Sequence, residues 1–204
     1  MSTHNPVHKD TQSSVLSPQS FITQIHASPV MAILVVTGGG SQAIADLLAV
    51  PGASRTVLEA LVPYSDKAMT EFLGATPTQA VSIETAVALA QQAYQRACSL
   101  RETEEIPVVG LACTATLVTD RPKKGDHRAH VGLYTSEDVR VFSLTLQKGA
   151  RDRRGEERLV SDLLLQVLAV GCGCIPGVQL ALHPEDQLLV QLLGHKEGTL
   201  AMPA

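Results

Sequence analysis

The chain has 204 residues, of which 45% are hydrophobic and 18% charged, and a net charge of −4. That profile describes one folded domain with tails, large enough to bury a core without metals or disulfides, and it excludes a disordered chain. It also excludes the basic face of a nucleic-acid binder, and no window approaches the length of a membrane span.

The N-terminus lacks the apolar run of a secretory signal, so the cytoplasm is the expected compartment. Aromatics are only 3% and Trp is absent, so the core must be built from Leu, Val, Ile and Ala. Cys98 and Cys113 sit in apolar segments and read as core thiols. Cys172 and Cys174 form a Cys-x-Cys with no second ligand pair nearby, so neither a metal nor a cofactor is expected.

Residues 1–19 are rich in Ser, Gln, His and Pro and read as a disordered tail. A short amphipathic helix is expected at Phe21–His26. Met31–Val36 is a continuous apolar run, hence a buried strand, and it ends in Thr37, Gly38, Gly39 and Gly40. Ser41 is the expected N-cap of the helix carrying Ile44, Leu47 and Leu48. Pro51 and Gly52 break that helix, and Ser54 is expected to cap a second short helix through Leu58. A strand then runs from Glu59 to Pro63, with Tyr64 and Ser65 at its end.

Asp66 to Leu73 forms the next helix, stopped by Gly74. Ser82 with Thr85 opens a long helix through Ala97, whose small residues at three- and four-residue spacing let it lie close to a sheet. Ile106 to Thr114 reads as a second buried strand, and 120–126 as a polar loop. Arg128–Thr135 and Val139–Gln147 alternate about Ser136, Glu137 and Asp138, as a hairpin does. Glu156 to Val170 is a strongly apolar helix, and Leu188–Leu192 a further strand. Helices and strands mixed in this way predict an α/β fold, three layers α/β/α around a mixed sheet. The expected division is a tail at 1–19, a domain at 20–173 and a C-terminal extension at 174–204.

Four segments hold chemically useful residues. The turn Gly38-Gly39-Gly40-Ser41 between strand and helix aims backbone N–H groups at a helix start, which suits phosphate; it equally suits a tight turn that requires glycine. Ser54, with Tyr64, Ser65 and Lys67, offers the residue types of a serine-nucleophile amidase. The loop Arg121 to Arg128 carries cations for a phosphate or carboxylate. Beside it, strand alternation separates His127 from His130 and argues against a metal. The junction Lys148 to Gly155 places Arg151, Arg153 and Arg154 at a helix start, where the dipole disfavours them, so they are expected to meet a ligand or a carboxylate such as Glu156 or Glu157.

Taken in order, Thr37-Gly-Gly-Gly-Ser41, Val50-Pro-Gly-Ala-Ser54, Val62-Pro-Tyr-Ser-Asp66, Leu73-Gly74, Ala80-Val-Ser82, Ala129-His-Val-Gly132 and Gly149-Ala-Arg151 resemble the CinA C-terminal domain, from about Met31 to about Ala169. That family deamidates nicotinamide mononucleotide with a hydroxyl nucleophile and no metal. The resemblance implies Ser54 as nucleophile with Thr37 as second candidate, and Tyr64 as proton carrier. It implies a nucleotide-binding set of Gly38, Gly39, Gly40, Ser41, Ser65, Thr114, Arg151 and Arg153.

The family's lysine position holds Met69 here. Lys67 lies two residues earlier, turned about 200° round the helix. The family glutamate before the first hydroxyl is Val36, and its third glycine-rich loop is replaced by Ala112 to Thr119. Three readings follow: an amidohydrolase for a pyridine nucleotide or related phosphorylated amide, a nucleotide-binding module without turnover, and an interaction domain. The last would form a homo-oligomer through the Ala-rich helix or the Leu163–Val170 face. No nucleic acid or membrane partner is expected.

Overall fold

The computed structural model describes residues 17–121, 124–175, 177 and 179–195. Six strands form one mixed sheet in the order β2-β1-β3-β4-β5-β6. β1 (Met31–Thr37) lies parallel to β2 (Val57–Leu61) and to β3 (Val108–Thr116). β4 (His127–Tyr134), β5 (Asp138–Leu146) and β6 (Gln187–His195) continue the sheet antiparallel. The predicted α/β/α sandwich is therefore observed.

One face of the sheet is covered by α1 (Pro18–Ala27), α2 (Ser41–Ala49) and α5 (Arg153–Gly171), which bury Phe21, Leu47 and Leu164 against Leu34, Leu111 and Val131. The other face is covered by α4 (Ile83–Leu100), with α3 (Asp66–Leu73) beside it, over Ile33, Val35 and Ala112. α4 lies unusually close to the sheet. A Cβ added at Gly110 would stand 2.1 Å from the Ala90 carbonyl oxygen, so the strand needs glycine where the helix backbone passes. The Ala86, Ala90 and Ala93 stripe supplies the other half of that close approach. This stripe and most of the Leu163–Val170 face pack inside the chain.

Several local expectations change. α1 begins at Pro18 with Ser17 as its N-cap, three residues before the expected start, and this takes 17–19 out of the tail; 1–16 lie outside the described residues. The expected cap Ser41 is the first residue of α2, and Gly40, at φ 93°, is the N-cap. The helix expected from Ser54 to Leu58 is a single 3-10 turn, Ala53–Arg55, capped by Gly52. Strand pairing overrides it: the Ala32 N–H bonds to the Thr56 carbonyl and Val57 enters register with Ala32, so β2 starts and ends two residues earlier than predicted.

The segment after α5 returns to the sheet. Arg151 bonds to both Asp186 oxygens, at 3.3 and 2.6 Å, and to the Ala181 carbonyl at 2.6 Å. Asp186 also accepts the backbone N–H of Gln147 and His183. This knot delivers β6 to the sheet edge, where Leu189 is 62% and Val190 59% exposed. Among the described residues no helix is long and apolar enough to cross a membrane.

Candidate functional site

Polar chemistry collects at one end of the sheet, where β1 and β3 finish. Gly38, at φ 80°, turns the chain there because a Cβ would stand 1.9 Å from the Ala115 carbonyl oxygen. The amides exposed by this turn are already engaged. Glu157 of α5 accepts the Gly40 N–H at 3.1 Å, the Gln42 N–H at 3.2 Å and the Ser41 hydroxyl at 2.9 Å. An internal carboxylate thus occupies the place expected for a phosphate, and it meets the same donors and dipole.

Arg153, one turn earlier on α5, donates to the carbonyls of Gly38 at 2.8 Å and Val118 at 3.2 Å. Glu156 is fully buried and accepts the Val118 N–H at 2.7 Å and the His127 Nδ1–H at 2.7 Å. The first turn of α5 therefore fastens the exits of β1 and β3 and the start of β4. Of the expected phosphate ligands, Arg151 and Arg153 are both committed to holding the chain itself.

The face of the sheet toward α4 is different. Successive cross-strand rows read Ile33, Gly110, Tyr134, Val139 and then Val35, Ala112, Gly132, Val141, all apolar or glycine apart from the tyrosine. The next row is Thr37, Thr114, His130, Ser143, and the row beyond it Thr116, Arg128, Thr145. The change from apolar to polar falls where α4 begins.

There Ser82 caps the helix by accepting the Thr85 N–H at 3.1 Å, Thr85 donates to the Gln79 carbonyl at 2.6 Å, and Arg128 reaches the Val81 carbonyl at 3.3 Å. His130 Nδ1 and the Ser143 hydroxyl are 2.8 Å apart. Burial lowers the His130 pKa from its ordinary value, Arg128 lowers it further, and Glu84 at the head of α4 opposes both. Two buried polar atoms on this face, Thr114 Oγ1 and Arg128 Nε, have no hydrogen-bond partner among the described residues. Buried polar atoms are nearly always paired, so two on one face of the sheet are unusual.

Thr37, nearly buried, and Thr114 stand side by side in this row. Tyr64 follows β2 at the same end of the sheet and is 68% exposed, while Ser65 is the N-cap of α3, accepting the Ala68 N–H at 3.2 Å. Met69, at the family lysine position, is buried, and Lys67 is exposed.

Ser54 is elsewhere. It precedes Val57, which pairs with Ala32 near the start of β1, so it lies at the opposite end of the strands from Thr37. Thr37 is five residues farther along β1 than Ala32, about 17 Å at the usual rise. The neighbours of Ser54 form a joint with α1: Arg55 donates to the His26 carbonyl at 3.0 Å, and His26 spans Thr56 and the Leu47 carbonyl. The expected pairing of Ser54 with Tyr64 is thereby corrected, because Ser54 precedes β2 and Tyr64 follows it, so the full length of that strand separates them.

His130, Ser143 and Arg128 did not stand out in the sequence as one group. The hairpin supplied the needed signal, since its turn fixes the pairing of 134 with 139 and hence of 130 with 143. Glu157 was expected only as a carboxylate for the neighbouring arginines; its role at the glycine turn gave no signal, because those partners lie 115 to 117 residues away.

No protein-family pattern matches the sequence, and no curated protein is detectably similar to it. Solved structures are similar. The competence/damage inducible protein of Agrobacterium tumefaciens superposes with a TM-score of 0.60 at 18% identity, over 76% of this chain and 94% of that one. A CinA superfamily protein of Escherichia coli gives 0.59 at 15% identity, over 76% and 90%. Another from Enterobacter cloacae gives 0.57 at 16%, over 83% and 99%.

The chain has the CinA fold. The likeness in architecture covers nearly the full length of those proteins, while the identity is too low to carry residue roles across. In this version of the CinA fold the strand-end floor bears Thr37, Thr114, His130 and Ser143, and α5 seals the glycine turn behind it.

Proposed function

We propose that this chain is a CinA-like amidohydrolase that takes a small nucleotide amide, of the nicotinamide mononucleotide type, at the polar floor beside the start of α4. The observation that carries this reading is the row Thr37, Thr114, His130, Ser143, placed where the apolar sheet ends. It joins Thr37, the second candidate nucleophile of the resemblance, to a histidine and two further hydroxyls. Tyr64 and Ser65 stand at the same end as rim contacts.

Ser54 takes no part in the reaction, being at the other end of the strands. Arg128, with its buried unpartnered Nε, replaces Arg151 and Arg153 as the cation for the substrate's polar groups. Purified protein incubated with nicotinamide mononucleotide is expected to release ammonia and the acid product, and Thr37→Val to lower kcat/KM at least about tenfold. A protein that binds the nucleotide without releasing ammonia contradicts this reading.

That outcome is the second reading, a nucleotide-binding module without turnover. Its support is the burial of Met69 where the family pattern has a lysine. A thermal shift produced by the nucleotide, with no ammonia, is its signature.

A further inference from the structure

We propose that Ser143 and His130 form a nucleophile–base pair that attacks the carbonyl carbon of an amide or ester. The inference rests on the hydrolase reading above and names its chemistry. Three observations carry it. The Ser143 hydroxyl and His130 Nδ1 are 2.8 Å apart, within the reach that proton transfer needs. Both side chains are half-buried on the α4 face, so a substrate can approach them while bulk water is partly excluded. The same face of the sheet holds two buried atoms without a hydrogen-bond partner among the described residues, Thr114 Oγ1 and Arg128 Nε, and Arg128 is two residues from His130 on that face of β4.

Leu189, 62% exposed, pairs with Ser143 from the edge strand and provides an apolar platform beside the hydroxyl. Burial and Arg128 hold His130 below its ordinary pKa, so it is neutral and able to accept a proton near pH 7.

Ser143 Oγ forms a bond to the carbonyl carbon as His130 Nδ1 takes the hydroxyl proton, and the C=O electron pair moves to oxygen, facing the Arg128 donor. His130 then gives the proton to the leaving nitrogen, the C–N bond breaks and ammonia departs, leaving an ester on Ser143. Water, deprotonated by His130, cleaves that ester, and the acid and the free hydroxyl are restored.

The test uses a fluorophosphonate, which a histidine-activated serine displaces at phosphorus with loss of fluoride. Intact-mass and peptide mapping of the wild-type chain are expected to place a single adduct on Ser143. His130→Gln is expected to slow its formation about 100-fold or more, with Ser143→Ala giving none. Circular dichroism of each variant checks that it folds. Labelling at another serine, no labelling of the folded wild-type chain, or labelling that His130→Gln leaves unchanged overturns the pair.

Nicotinamide mononucleotide separates this from the broader reading. An adduct on Ser143 without ammonia release upholds the pair and overturns the nucleotide substrate. Ammonia release that survives Ser143→Ala overturns the pair and upholds the amidohydrolase.

Discussion

Glu157 accepts the backbone N–H of Gly40 at 3.1 Å, across 117 residues of chain, and so neutralises the positive end of α2 with a side chain from α5. A second oxygen of the same carboxylate takes the Ser41 hydroxyl and the Gln42 N–H. Hydrogen bonds to a charged acceptor are about twice as strong as neutral ones. Glu157→Gln is therefore expected to lose about 1–3 kcal/mol of stability, read as a shift in the urea midpoint. Glu157→Ala empties the turn, and inorganic phosphate should then raise the melting temperature of that variant and leave the wild type unmoved. Equal shifts in both would contradict the role assigned to Glu157.

The contact between α4 and the sheet tolerates no added atom at Gly110, where a Cβ would lie 2.1 Å from the Ala90 carbonyl and 2.3 Å from the Tyr94 nitrogen. Both neighbours are backbone, so no rotamer change relieves the clash. Gly110→Ala is expected to destabilise the chain by about 3 kcal/mol or more. A loss below about 1 kcal/mol in chemical denaturation would mean that the helix stands farther off than described.

Acid should release the C-terminal strand first. Burial raises the Asp186 pKa, but the Arg151 guanidinium and the N–H groups of Gln147 and His183 outweigh it and hold the carboxyl below its ordinary value. A carboxyl lowered on folding contributes stability that is complete above its unfolded value of about 3.9 and is lost as pH falls through the folded value. Amide exchange across 187–195 is expected to accelerate below about pH 4. In Asp186→Asn the same exchange should be fast already at pH 7, because Arg151, only 10% exposed, is left without its carboxylate. Breaking such a buried pair costs about 3 kcal/mol.

Turnover should report His130. The charged groups around it are Arg128 on its own strand and Glu84 at the head of α4; its partners on β3 and β5, Thr114 and Ser143, are uncharged. Because its pKa is lowered, the acid limb of the kcat/KM profile is expected below the ordinary histidine value of about 6.5. Glu84→Gln removes the group that favours the protonated ring, so the limb should move to lower pH. Removing the Arg128 charge should move it to higher pH. A profile indifferent to Glu84 would separate the observed turnover from His130.

Most of the scaffold could be read from the chain. The runs at Met31 and Ile106 were strands because fully buried parallel strands are continuously apolar, and the Ala stripe after Ser82 announced a helix lying flat on a sheet. What could not be read was tertiary competition. Ser54 sat in an amidase-like string, yet the pairing of Val57 with Ala32 placed it at the far end of the sheet. Arg151 and Arg153 resembled ligand contacts because a cation at a helix start is disfavoured in isolation. Their partners, Asp186 and the carbonyls of Gly38 and Val118, lie 35 and 115 residues away or come from a different loop. Local rules see a misplaced charge; only the folded chain supplies its counterpart.

The grip of α5 on the strand ends also dictates an order of assembly. Gly38, Gly40, Val118 and His127 are all fastened by Arg153, Glu156 and Glu157. None of these bonds can exist while the chain emerging from the ribosome stops short of residue 153, although five strands and four helices have by then been synthesised. Contacts of such separation are closed late and slowly. The nascent protein would pass through a stage in which the glycine turn is open, its amides unclaimed by any carboxylate, and the mature arrangement would be set only when the fifth helix docks.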